Sequence, residues 1–96
     1  MKFQFKGFTV DKDTRELTKA GKEIPLDRLT FDLLVYLCAN KGLALAKERI
    51  VRDVWGIDYN GTTRALDQAI SQVRKALGRE RKAIITLHTI GYKFRP

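Results

Sequence analysis

The 96-residue chain is predicted to fold as an α+β domain: a small antiparallel sheet, then three helices, then a closing β-hairpin. Three observations carry the prediction. Apolar and polar residues alternate over residues 2–10 and again over 92–95, the period of half-buried strands. Between these ends lie three stretches whose apolar residues recur at helical spacing. Gly, Asn and Asp punctuate the joins. The length suits one domain with one core, spanning 1–96: sheet over 1–27, three-helix unit over 28–78, hairpin over 83–96.

Residues 3–10 read as one strand, with Phe3 and Phe5 on one side and Lys2, Gln4 and Lys6 on the other. Gly7 interrupts the alternation before Phe8 and Val10 resume it, which predicts a bulge or bend. Asp11-Lys12-Asp13-Thr14 is a polar turn, a short strand follows over 16–19, and Ala20-Gly21-Lys22 turns into a strand ending at Leu26. Short strands joined by tight turns imply an antiparallel sheet with one covered face. Its cover is the helix predicted over 28–40, capped by Asp27, whose carboxylate can accept from first-turn amides. Leu29, Leu33, Leu34, Leu37 and Cys38 are apolar there, and Phe31, Val35 and Tyr36 carry that character around the helix, so it belongs in the core. Gly42 supplies its left-handed stop. No chemistry is assigned to this segment.

A second helix runs from Ala46 or Lys47 to Trp55 and buries Ile50, Val51, Val54 and part of Trp55. Residues 56–61 form a loop by their glycines and Asn-Gly signal. The third helix spans 62–77, capped by Thr62 or Thr63 and ended by Gly78. Leu66, Ala69, Ile70, Val73 and Leu77 share one face. The other carries Arg64, Asp67, Gln68, Ser71, Gln72 and Lys75, with Arg74 at its flank. Taken alone, this stretch fits an ordinary solvated helix face; two Gln and a Ser bracketed by cations also suit major-groove chemistry, in which amides read base edges and cations hold phosphates. A charged loop over 79–82 leads to a hairpin: a β-branched strand over 84–88, a turn at Thr89-Ile90-Gly91, and a strand alternating aromatic with basic residues. Helix–loop–helix followed by a hairpin is the winged form of the helix-turn-helix.

Charge supports an anionic partner. The net charge is +8, with eight Lys/Arg against six Asp/Glu in residues 1–45 and eleven against five in residues 46–96. The excess lies in the half that holds the third helix. Cys38 excludes an internal disulfide and reads as a small core residue in a reducing compartment, so the expected location is cytoplasmic. No apolar run is long enough to span a bilayer and no signal peptide is evident, so no membrane contact is expected of this segment.

In order and spacing, three blocks resemble signatures of the OmpR/PhoB-type winged-helix effector domains: Lys47-Glu48-Arg49-Ile50 through Val54-Trp55-Gly56, Asp67-Gln68-Ala69-Ile70-Ser71-Gln72-Val73-Arg74-Lys75-Ala76-Leu77-Gly78, and Gly91-Tyr92-Lys93-Phe94. The resemblance covers essentially the whole chain. It implies a four-stranded N-terminal sheet, three helices, a hairpin wing, and double-stranded DNA as partner. Arg64 matches a family arginine on phosphate. Gln68, Ser71 and Gln72 match positions facing bases or the adjacent backbone, and Arg74 and Lys75 match the basic end of the recognition helix. Trp55 matches a tryptophan that reaches phosphate, or else plugs the core. Asp67 either accepts from a cytosine amine or pairs with a nearby cation. Lys93 joins the phosphate contacts. The loop Ile57, Asp58, Tyr59, Asn60 resembles the family's contact loop for RNA polymerase.

Two departures from the family pattern stand out. His88 and Thr89 occupy wing positions where Arg and Gly are common, so His88 is either a phosphate contact or an exposed strand-end side chain. Ala46 replaces the usual Ser cap, at an expected cost of about 0.5–2 kcal/mol. Relatives bind direct repeats as head-to-tail dimers and are joined to a phosphorylatable receiver domain, the two-component arrangement, or in ToxR-like regulators to a membrane segment.

Other functional classes fit less well. The one Ser, one His and one Cys lie on separate elements, and no Gly-rich loop or metal-ligand spacing is present, so no enzyme, cofactor, metal or small-molecule substrate is expected. An RNA reader would want an aromatic stacking platform, which is absent.

Overall fold

The computed structural model describes residues 1–56 and 63–96. The expected polymerase-contact residues Ile57, Asp58, Tyr59 and Asn60, and Thr62 as a cap, lie outside the described residues. Four strands open the chain, β1 (Lys2–Phe5), β2 (Phe8–Asp11), β3 (Glu16–Lys19) and β4 (Lys22–Ile24), paired in that order as an antiparallel meander. The stretch expected to be one bent strand is therefore a hairpin. Phe5 pairs with Phe8, and the two loop residues, Lys6 and Gly7, have φ of 48° and 84°. Two successive positive φ values mark the turn whose twist matches that of paired strands. A two-residue turn and a one-residue bulge shift the alternation by the same parity, so the pattern of Phe3, Phe5, Phe8 and Val10 is compatible with both. Long-range pairing selects the turn. Ala20 and Gly21 repeat the same device between β3 and β4.

The helix α1 (Arg28–Ala39) packs in the core, and Asp27 caps it, its Oδ1 accepting from the Thr30 amide at 2.8 Å. That bond holds the Asp27 carboxyl below the usual carboxylate range. Leu33, Leu34 and Leu37 are fully buried. Leu29, expected on the apolar face, is instead 40% exposed. It sits in the first turn, beyond the edge of the layer that covers its helical neighbours.

A short strand with no sequence signal, β5 (Ala44–Ala46), follows. Three residues with one buried side chain, Leu45, are too few to show a period. It pairs with β7 (Gly91–Phe94), which also pairs with β6 (Ile84–Leu87), so the wing is a three-stranded sheet ordered β5-β7-β6. The helix α2 (Lys47–Trp55) starts directly from β5. Ala46 offers no side-chain cap, as expected, and the first amide, Lys47, donates to the carbonyl of Ile90 in the wing turn at 3.3 Å. The helix α3 (Arg64–Leu77) comes next, and a short 3₁₀ segment (Gly78–Ala83) occupies the expected charged loop.

One core joins these parts, with Phe8, Val10 and Leu17 from the sheet, the α1 leucines, Leu45, Ile50, the inner face of α3, and Phe94. The Phe5 ring stacks on Phe8 at 5.3 Å and meets Phe94 edge-on at 5.1 Å, which draws the N-terminal sheet to the wing. Tyr36 of α1 donates its hydroxyl to Asp53 of α2 at 2.6 Å.

Gly91, expected in the turn, instead begins β7 opposite Ala46 and Leu87, because it pairs with strands on both sides. A Cβ at this position would lie 2.0 Å from the Leu45 carbonyl oxygen and 2.9 Å from the Lys47 nitrogen. Both obstacles are backbone and neither can swing aside. Gly91→Ala is therefore expected to destabilise the domain by about 3 kcal/mol, the upper end of what overpacking costs. Urea denaturation measures it, and a loss below about 1 kcal/mol would show that β5 and β7 can separate freely.

Candidate nucleic-acid interface

The five residues expected to hold α3 against the core, Leu66, Ala69, Ile70, Val73 and Leu77, are the five it buries. On the opposite side Arg64, Gln68, Ser71, Gln72 and Lys75 are exposed. Thr63 occupies the cap position without a side-chain cap bond, and Gly78 ends the helix at φ 56°. Ser71 donates its hydroxyl back to the Asp67 carbonyl at 3.2 Å. Arg74 and Lys75 lie in the last turn, where the partial negative charge of the helix end favours cations.

One flank of α3 is tied to the wing and to α2. Asp67 Oδ1 accepts from the Tyr92 hydroxyl at 2.7 Å and lies 3.2 Å from the Lys47 ammonium. Asp67 thus has a cationic partner within the fold. Burial and the bond to Asp67 push the Tyr92 hydroxyl up to about 12. Arg74 donates from one guanidinium nitrogen to the Ile84 carbonyl at 2.8 Å and to the Thr86 hydroxyl at 2.9 Å, which locks the helix to β6. Sequence reasoning missed Lys47 and the role of Tyr92, because the contacts span 20 and 25 residues and leave no local pattern.

The other flank borders a groove of about 740 Å³ between α3, the half-buried Trp55 and the first turn of α1. Gln68, Ser71 and Gln72 line it from α3. The structure thus brings these three residues together with Trp55. On the wing, His88 is exposed at the tip and Lys93 is half-buried on β7. Next to His88, Thr89 holds φ at 64°, a left-handed value unusual for a β-branched residue, with its hydroxyl donating to the His88 carbonyl at 2.6 Å. Among the described residues no group of His, Cys, Asp and Glu is arranged to hold a metal ion.

The family model "Transcriptional regulatory protein, C terminal" matches residues 21–94. The chain belongs to this family, the winged-helix DNA-binding domain of OmpR/PhoB-type transcriptional regulators. The family is a DNA-binding domain and not an enzyme. Among curated relatives, the chain is 40% identical over 88 residues to the transcriptional regulatory protein VxrB of Vibrio cholerae, covering 91% of this chain and 35% of the relative. It is 36% identical over 93 residues to the response regulator ArlR of Staphylococcus saprophyticus, covering 94% and 42%. The chain therefore spans well under half the length of these relatives. Its fold matches the DNA-binding domain of Klebsiella pneumoniae RstA, solved in complex with the RstA box, with a TM-score of 0.85 and 30% identity over 99% of this chain and 97% of that one. The DNA-binding domain of Bacillus subtilis CssR matches with a TM-score of 0.82 and 32% identity, covering 91% and 98%.

Two expectations follow for the wing flank. Thr89→Gly should raise stability by about 1 kcal/mol, because relief of the left-handed strain exceeds the entropy that glycine adds to the unfolded chain; urea denaturation reports the sign. Tyr92→Phe should cost about 1 kcal/mol at neutral pH through the lost bond to Asp67. The raised Tyr92 pKa adds stability that is fully present below about 10 and is lost as pH rises through about 12. The gap between wild type and Tyr92→Phe should accordingly shrink across that window in denaturation curves, and a constant gap would exclude the linkage.

Proposed function

We propose that this domain binds a specific duplex site through α3 and acts as the effector domain of a two-component response regulator. The observation that carries the reading is the exposed row Arg64, Gln68, Ser71, Gln72 and Lys75 on a helix whose inner face is wholly buried. Arg64 and Lys75 hold phosphates at the two ends of that row, and Gln68, Ser71 and Gln72 set sequence preference between them. Ala65 is placed to touch a thymine methyl. Trp55 adds backbone contact from the groove side, and His88 and Lys93 add it from the wing. Asp67 and Arg74 act through the fold, by setting the angle between α3 and the wing, and Arg74 reaches phosphate only from that anchored position.

The wider context rests on the relatives. ArlR is named a response regulator, which supports the two-component assignment and a cytoplasmic setting. No helix among the described residues is long and apolar enough to cross a membrane. Head-to-tail pairing on direct repeats, and contact with RNA polymerase through Ile57, Asp58, Tyr59 and Asn60, complete the proposal.

Selection of bound duplexes from a random pool yields the preferred site, and titrations with variants then separate the two roles. Arg64→Ala should weaken binding to selected and random duplexes alike and flatten the salt dependence by about one phosphate contact. Gln72→Ala should weaken the selected duplex by about 1–3 kcal/mol while leaving random DNA nearly unchanged. Equal losses on both duplexes for Gln72→Ala would rule out base reading at this position.

A further inference from the structure

A helix lying in a major groove has a phosphate backbone on each side, so α3 needs contacts on both of its flanks. The wing flank has its cations in Lys93 and the partly exposed Lys47. The other flank ends at the first turn of α1, a segment to which the sequence assigned no chemistry. Arg28 stands there, exposed, on the rim of the groove that Gln68, Ser71 and Gln72 line from the opposite side. Its backbone carbonyl accepts from Arg15 at 3.4 Å, but its guanidinium makes no hydrogen bond or ion pair with any described residue. Beside it Leu29 leaves an apolar side chain 40% exposed to the same groove.

We propose that Arg28 is a DNA-contacting residue, which grips a phosphate of the strand on the side of α3 away from the wing, while Leu29 packs against the adjoining deoxyribose. This rests on the placement of α3 in the major groove. Three features of the site favour a sugar-phosphate strand as occupant. The groove is continuous with the reading face of α3. Its rim carries a guanidinium that is unpaired among the described residues, the group best suited to phosphate. Its floor mixes the apolar Leu29, Ala65 and Ala69 with amide and hydroxyl side chains, which suits a deoxyribose edge. Among the described residues Asp27 is the one acidic group lining the groove, and its Oδ1 accepts from the Thr30 amide within the α1 cap. Arg28 offsets that charge where the strand would pass.

The test uses the intact chain, a duplex selected from a random pool, and an unrelated duplex of the same length. Arg28→Ala should weaken binding to both duplexes by the same factor and lower the slope of log affinity against log salt by about one. Phosphate ethylation interference on the selected duplex should lose one signal, on the groove wall opposite the wing contacts. Arg28→Gln, which keeps a polar end and much of the aliphatic stem but no charge, should behave like Arg28→Ala; both are checked for an unchanged melting temperature. A slope and interference pattern identical to wild type in both variants would overturn the proposal, as would a loss confined to the selected duplex. Arg64→Ala and Gln72→Ala measured alongside separate the two readings. If they show their expected effects and the Arg28 variants do not, only the Arg28 contact fails; if none of them alters binding, the placement of α3 fails.

Discussion

The helix α3 must bury one face completely while keeping the other bare, and that constraint governs the rest of the structure. A surface helix of 14 residues has little stability alone, so its position comes from the apolar surface it shares with its neighbours. Leu66, Ile70, Val73 and Leu77 supply that surface, each 1% exposed or less. The α1 helix, with Leu33, Leu34 and Leu37, forms the platform beneath, and the N-terminal sheet closes the other side of α1 with Phe8, Val10 and Leu17. Every element behind α3 serves to keep its inner face dry.

Burial sets the depth of α3, and polar contacts set its orientation. Asp67 reaches the start of α2 through Lys47 and the wing through Tyr92, and Arg74 reaches β6 about two helical turns further on. These bonds are directional, so they fix rotation about the helix axis in a way that apolar packing cannot. Gly91 allows the wing to come close enough for them, because only a residue without Cβ lets β7 lie against Leu45 and Lys47. The missing side-chain cap on α2 belongs to the same arrangement: the wing carbonyl of Ile90 takes the first amide. Wing, α2 and α3 are thereby locked as one unit, and the exposed row on α3 is presented at a defined angle.

The two flanks of α3 differ in character. On the wing side Asp67, Lys47 and Arg74 are bonded within the fold, and on the α1 side a groove is left open with Arg28 at its rim, unpaired among the described residues. A flank fixed by internal bonds favours binding to a rigid duplex, since preorganised contacts lose less entropy on binding.

Much of this was legible in the residues. The period of α3 named its five buried positions without error, Asp27 and Gly78 marked helix ends through their own local chemistry, and the charge imbalance pointed to the half that holds α3. Such features depend on contacts within a few residues, where side-chain type and spacing decide the outcome. Features that depend on distant partners left no such trace. The Lys6-Gly7 hairpin shares its parity with a bulge, β5 is too short for a period, and Leu29 has a core residue's chemistry at an edge where it stays 40% exposed. The pairing of Asp67 with Lys47 and Tyr92, the need for glycine at position 91, and the place of Arg28 beside the reading face all arise where segments far apart in the chain meet. Their physical cause is the packing of whole elements, which sets distances that no local pattern encodes.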